Sequence, residues 1–184
     1  MTTGKFDTYW NASALGSPAA LLPWLRDRGS LTARIQQRCD AFAVQPVREG
    51  LARIALDESG VLGIAPQQRA WSREVFLLAD GVPVVFAHSA CAAADLRGPW
   101  SSLRTLGNKP LGALLFTHPL VQRLPLHFKA LPAQHPLYRS ATQDLQNPPQ
   151  RLWARRSRFT LYGAPLLVTE VFLPGVWSLS EMKG

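Results

Sequence analysis

The chain has 184 residues, of which 47% are apolar, and its 20 Lys and Arg against 12 Asp and Glu give a formal charge of +8. That length encloses one core and a small cavity, and the composition excludes a disordered or collagen-like chain. No apolar run approaches the ~20 residues of a bilayer-spanning helix and no basic, then apolar, leader opens the chain, so the reading is of a soluble cytoplasmic protein with one domain over residues 1–184. The excess charge favours anionic partners. It does not favour nucleic acid, because the arginines are scattered among apolar residues and no aromatic RNA-binding motif occurs. Cys39 and Cys91 have neither metal-ligand spacing nor the density of a disulfide framework, and are expected reduced.

Ser17 as N-cap and Pro18 at the first helical position predict a short helix through Leu21, Leu22 and Leu25 that stops at Gly29. Ser30 then caps a second helix, "SLTARIQQRC", with Leu31 and Ile35 on one side. Alternation through Phe42 and Val44 predicts a strand to about Glu49, and Pro46 places it at a sheet edge. Residues 55–69 read as a loop. "WSREVFLLADGVPVVFAHS" is a hairpin turning at Asp80-Gly81, with Trp71, Arg73, Val75 and Leu77 on one face.

"GPWSSLRTLGNKPLGALLF" predicts a helix ended by Gly107 and another begun by Pro110. Residues 118–150, rich in proline, read as a long loop or lid with one helical turn. A second hairpin, "RLWARRSRFTLYGAPLLVTEVFLPG", turns at Gly163 and sets Leu166, Val168, Glu170 and Phe172 on one face. The tail after Pro174 is expected to be loosely held. Strands that arrive as hairpins define an α+β fold built on an antiparallel sheet flanked by helices.

Each hairpin thus sets one charge, Arg73 or Glu170, into an apolar row. Two readings follow. Either the two form a buried ion pair, or they line a closed pocket in which the arginine grips a carboxylate and the glutamate accepts from a hydroxyl; a one-residue slip of either strand would remove both. The helix starts at Leu31 and Leu111 present backbone N–H groups that have no partner within the helix, and they matter only if they converge on the arginine. His88, His118, His127 and His135 lack metal spacing, and the last three fall in the presumed loop, at surface or lid positions. There is no GxSxG elbow, GxGxxG or P-loop. "RLWARRSRF" reads as a solvated strand face, with Arg155, in the row of Trp153 and Phe159, the member able to face inward.

Taken in order, "LLPWLRDRGSLTARI", "VREG", "WSREVFLLADGVPVVFA", "LRTLGNKPLGALLF" and "LWARRSRFTLYGAPLLVTEVFLP" resemble the chorismate lyase family of ubiquinone biosynthesis, over roughly residues 20–174. The resemblance implies an antiparallel sheet with a ligand enclosed under flaps, conversion of chorismate to 4-hydroxybenzoate and pyruvate without metal or organic cofactor, and a monomer. Matched by motif, the family's side-chain contacts fall on Arg73 and Glu170, and its backbone contacts on Leu31 and Leu111. At Leu31 the family can carry methionine, and a contact made through the main chain is expected to survive that exchange; the segment 125–150 is longer and richer in proline and "GVWSLSEMKG" extends past the shared block, and neither of these two touches the four site positions. The fold type also resembles effector domains of bacterial transcription regulators, so a non-catalytic sensor is the alternative; the helix-turn-helix such a regulator carries ahead of that domain is not expected in the roughly 20 residues before the match.

Overall fold

The computed structural model describes residues 10–179. They form one seven-stranded sheet, β1 (Phe42–Ala52), β2 (Ala70–Ala79), β3 (Val82–Ala92), β4 (Gln122–Arg123), β5 (His127–Pro132), β6 (Arg151–Leu161) and β7 (Ala164–Phe172). The strand order is β1-β2-β3-β7-β6-β4, with β5 also paired to β6 and every pairing antiparallel. The α+β expectation holds. Pro46 lies in β1 at the sheet edge, where a missing N–H costs no ladder bond, and the register shifts just after it.

Both hairpin turns rest on a pair of residues at positive φ: Asp80 and Gly81 at 50° and 79°, Tyr162 and Gly163 at 50° and 83°. This is the twist-matched geometry of a two-residue connection. Asp80 also accepts from the backbone N–H groups of Asp40 and Ala41 at 3.0 and 2.7 Å, which ties the start of β1 to the turn.

Five short helices cover the two faces: α1 (Leu22–Leu25), α2 (Leu31–Gln36), α3 (Leu56–Leu62), α4 (Leu111–Thr117) and α5 (Pro136–Thr142). On one face α1 and α2 pack Trp24, Leu25, Leu31 and Ile35 against Val75, Leu77, Val85 and Phe172. On that face too, α4 and the 3-10 turn Ser101–Thr105 pack Leu103, Leu111 and Leu115 against Trp71, Phe159 and Val168. On the other face, α5 sets Tyr138 and Ala141 against Phe76, Phe86 and Val171, and α3 sets Leu62 against Ala90 and Leu167. Sandwiched in this way, nine of the ten residues of β2 are buried.

Several expectations are corrected. Residues 55–69 contain α3, whose first turn Glu58 closes by accepting from the Ala55 N–H at 3.0 Å; no Ser, Thr, Asp or Asn precedes it to signal a cap. Residues 118–150 hold β4, β5 and α5, because strand pairing with β6 imposes an extended backbone on a segment without periodicity of its own. The first predicted helix is a 3-10 turn, Ala19–Leu21, running into α1, with Pro18 rather than Ser17 at its N-cap. The second stops at Gln36, three residues short of Cys39, and β1 runs on to Ala52. After Pro174 the chain makes a 3-10 turn to Leu179 that buries Val176 and Leu179, so that stretch of the tail is held; residues 180–184 lie outside the described residues.

Candidate functional site

The register of the sheet sets the site. Across β2, β3, β7 and β6 one row reads Arg73, Ser89, Val168, Ser157, and the next reads Val75, Ala87, Glu170, Arg155. Arg73 and Glu170 therefore share a face. They line the same largely enclosed cavity, which α2 and α4 roof through Leu31, Thr32, Leu111 and Leu115. As it stands the cavity has about 40 Å³ of space.

Arg73 and Glu170 do not pair with each other. Arg73, 3% exposed, reaches the exposed Glu49 with Nε at 3.4 Å, and Nη2 donates to the Gly107 and Lys109 carbonyls at 2.8 and 3.2 Å. Burial lowers its pKa and Glu49 acts in the opposite sense. The two carbonyls belong to the loop that delivers α4, so Arg73 aims the first residue of that helix, Leu111, at the cavity.

Glu170 takes its partner from the neighbouring strand. Arg155 Nε donates to Glu170 Oε2 at 2.5 Å, and Arg155 Nη1 donates to the Trp24 and Asp27 carbonyls at 2.9 and 2.7 Å. Arg155, the member of its run able to face inward, does so, and its side chain is fully buried. The fork holds the carboxylate and, at the same time, the turn that leads into α2.

The two helix starts converge. Ser30 caps α2 by accepting from the Ala33 N–H at 3.3 Å. Gly112, in the first turn of α4, faces it so closely that a Cβ there would stand 3.1 Å from both Ser30 Oγ and Thr32 Oγ1. Even a Cβ at 112 would require these hydroxyls to give way by a few tenths of an ångström. Leu31 and Leu111, the first residues of the two helices, both line the one cavity.

Sequence reasoning passes over Arg123, which lies in the two-residue strand β4 and lines the same cavity. Its Nε donates to Ser157 Oγ at 2.9 Å, and Nη1 donates to the Arg28 carbonyl at 2.8 Å. No pattern around "LVQRLPL" signals it; only the pairing of Arg123 with Phe159 turns it inward.

The reverse face of the sheet carries a second polar cluster. His88 Nε2 lies 3.2 Å from Glu58 Oε1 of α3, and His88 Nδ1 lies 3.2 Å from Glu74 Oε1 of β2. Burial alone would lower the His88 pKa, but the charge and hydrogen bond of Glu58, with those of Glu74, outweigh it and raise the value to about 10. Arg48 reaches Glu74 at 3.1 Å, and Arg156 pairs with Asp57 beside the cluster. Of the histidines expected at the surface, His127 is exposed and His118 half-buried, whereas His135 is buried as the N-cap of α5, accepting from the Leu137 N–H at 3.2 Å. No group of metal-ligating side chains forms a metal site among the described residues. No helix of the described residues is long and apolar enough to cross a membrane.

The fold is shared with solved structures of transcriptional regulators. A GntR-family transcriptional regulator from Bacillus cereus superposes with a TM-score of 0.52 at 11% identity, over 73% of this chain and 92% of its own. PhnF from Mycobacterium smegmatis gives 0.53 at 17% identity, over 82% and 66%. These likenesses define the architecture alone. At the level of sequence, the chorismate lyase family model matches residues 7–182. Probable chorismate pyruvate-lyases from Nitrosomonas europaea and Nitrosospira multiformis are each 50% identical, over 91% and 89% of this chain and 94% of each relative. One from Thiobacillus denitrificans is 47% identical over 91% of this chain and 89% of the relative. The chain belongs to the chorismate lyase family.

Proposed function

We propose that the protein is a chorismate pyruvate-lyase that releases 4-hydroxybenzoate and pyruvate without a metal or organic cofactor, acting as a cytoplasmic monomer that feeds ubiquinone biosynthesis. The observation that carries the reading is the joint exposure of Arg73, Glu170, Leu31 and Leu111 to one enclosed cavity in a chain of this family.

Chorismate has a ring carboxylate at one end and a hydroxyl at the opposite ring carbon, C4, with the enolpyruvyl ether on C3 beside it. Arg73 Nη1, which has no hydrogen-bond partner among the described residues, takes the ring carboxylate together with the N–H groups of Leu31 and Leu111. Glu170, with Oε2 engaged by Arg155, accepts from the C4 hydroxyl through Oε1. In the reaction the C3–O bond breaks, its electron pair leaves with the oxygen, C4 loses hydrogen, and the methylene carbon gains hydrogen as pyruvate forms. Aromatisation of the ring supplies the driving force, so the protein needs chiefly to hold the ether in a reactive conformer and to oppose charge growing on the leaving oxygen.

A cavity of about 40 Å³ accommodates a few waters rather than a substituted ring. Entry therefore requires α2 and α4 to separate. Their anchors are hydrogen bonds from Arg73, Arg155 and Arg123 to loop carbonyls, contacts that re-form on closure.

The test is to mix purified protein with chorismate in the presence of a chelator and to quantify both products. Equimolar release of pyruvate and 4-hydroxybenzoate is expected. Saturable binding without release of either would replace the lyase by a sensor of the same fold.

A further inference from the structure

We propose that Arg123 binds the second carboxylate of the substrate, the one on the enolpyruvyl group; the inference rests on the chorismate reading. Arginines around this cavity otherwise have acids. Arg73 has Glu49 and Arg155 has Glu170, while Arg34, on the outer side of α2, has Asp27. Arg123 has no carboxylate within ion-pair distance among the described residues. Its hydrogen bonds are to neutral oxygens: Ser157 Oγ at 2.9 Å, the Arg28 carbonyl at 2.8 Å and the Gly29 carbonyl at 3.4 Å. Nη2 has no partner among the described residues. The guanidinium sits 5.4 Å from the ring centres of both Phe116 and Phe159. Arg123 is half-buried, and a cation partly withdrawn from water without an anion carries a cost that an anionic ligand reduces. Burial lowers the pKa of Arg123 to about 10, partly offset by Glu170, so it remains charged at neutral pH.

Position and chemistry agree. With the ring carboxylate at Arg73 and the C4 hydroxyl at Glu170, the ether on C3 must lie at the Glu170 end, and its carboxylate extends beyond the ring there. Arg123 reaches the cavity from that end, through Ser157 on β6, the strand that also carries Arg155. There it would orient the enolpyruvyl arm while the C3–O bond breaks and keep hold of the carboxylate as pyruvate leaves. The product 4-hydroxybenzoate lacks this carboxylate, so Arg123 distinguishes substrate from product.

The experiment compares wild type, Arg123→Met and Arg123→Lys by kcat/KM for chorismate and by Kd for 4-hydroxybenzoate from calorimetry. Arg123→Met should lose about 100-fold in kcat/KM with the Kd for 4-hydroxybenzoate within about threefold of wild type, and Arg123→Lys should recover part of the loss. A parallel loss in both quantities would overturn the proposal in favour of a purely structural tie to residues 28 and 29, and so would unchanged kcat/KM. Independently of how the variants fold, wild type should lose a similar factor on chorismate methylated at the enolpyruvyl carboxylate; undiminished turnover of that ester also overturns the proposal. If wild type releases no products from chorismate itself, the underlying lyase reading has failed instead.

Discussion

Arg73 and Glu170 stand on one face of the sheet two strands apart and one side-chain repeat out of line, since Arg73 is opposite Ser89, and Glu170 is opposite Ala87, on the β3 strand between them. Two strand spacings and one repeat put their Cα atoms about 12 Å apart. The two do not pair across that span, which suits a para-substituted ring held between two side chains. Each instead grips a protein partner with one edge, Glu49 and loop carbonyls for Arg73, Arg155 for Glu170, and keeps an atom for the ligand.

Arg73→Ala should lower kcat/KM by about 10²–10³, the usual loss for one charge-stabilising donor in a dry site. Arg73→Lys should rescue little, because an ammonium cannot reach Glu49, two carbonyls and a carboxylate at once. Steady-state kinetics checks this, with circular dichroism confirming a folded chain; wild-type rates in a folded Arg73→Ala protein would refute the role.

Arg155→Met should release Glu170 and the turn at Trp24–Asp27 together, at a cost of about 3–5 kcal/mol in stability for breaking a buried pair. A sharper readout is selectivity. If Arg155 orients Glu170 toward a hydroxyl, wild type should prefer 4-hydroxybenzoate over benzoate and that preference should collapse in Arg155→Met, whereas general loosening of the core weakens both ligands equally.

Gly112→Val should weaken 4-hydroxybenzoate binding by at least about tenfold and cost about 1–3 kcal/mol, the range for overpacking. Its Cβ would press on Ser30 Oγ and Thr32 Oγ1, both only 3.1 Å away, and hold the starts of α2 and α4 apart. Titration calorimetry and a thermal melt measure the two effects; unchanged product affinity would show that convergence of the helix starts is not needed.

The His88 cluster should govern alkaline stability and leave catalysis alone, since it lies on the opposite face of the sheet. His88 has a raised pKa in the folded chain, so its contribution is fully present below about pH 6.5, its unfolded value, and is lost as the pH rises through about 10. Glu58 and Glu74 behave in the opposite sense. Although burial alone would raise them, His88 holds both low, so their share is present above about pH 4.5 and disappears on acidification. Melts of wild type from pH 6 to 10 should show a falling Tm. His88→Ala should be less stable by about 3–5 kcal/mol at neutral pH, flatter across that range, and normal in kcat/KM once folded.

Much of this was legible in one dimension. Period-two alternation and the turn pairs Asp80-Gly81 and Tyr162-Gly163 specify both hairpins and which residues share a face, because strand side chains alternate whatever the sheet does next. Ser30 and Pro110 mark their helices locally, and the multi-residue blocks identify the family. The stretches 55–69 and 118–150 were opaque because α3, β4 and β5 draw their stability from packing and pairing with distant strands rather than from propensity.

Partner choice was likewise out of reach of the sequence. Arg73 and Glu170 were recognisable as charges in apolar rows, but an ion pair and a two-ended pocket write the same pattern. Only the order of strands, with β3 between β2 and β7 and β6 beyond, hands Glu170 to Arg155, keeps it from Arg73, and turns Arg123 into the cavity without an acid of its own. The sequence by itself determined the faces and the local caps, which depend on near neighbours. Tertiary structure decided who meets whom across them, because those contacts join residues more than a hundred positions apart, such as Arg155 and Trp24, whose proximity no local pattern encodes.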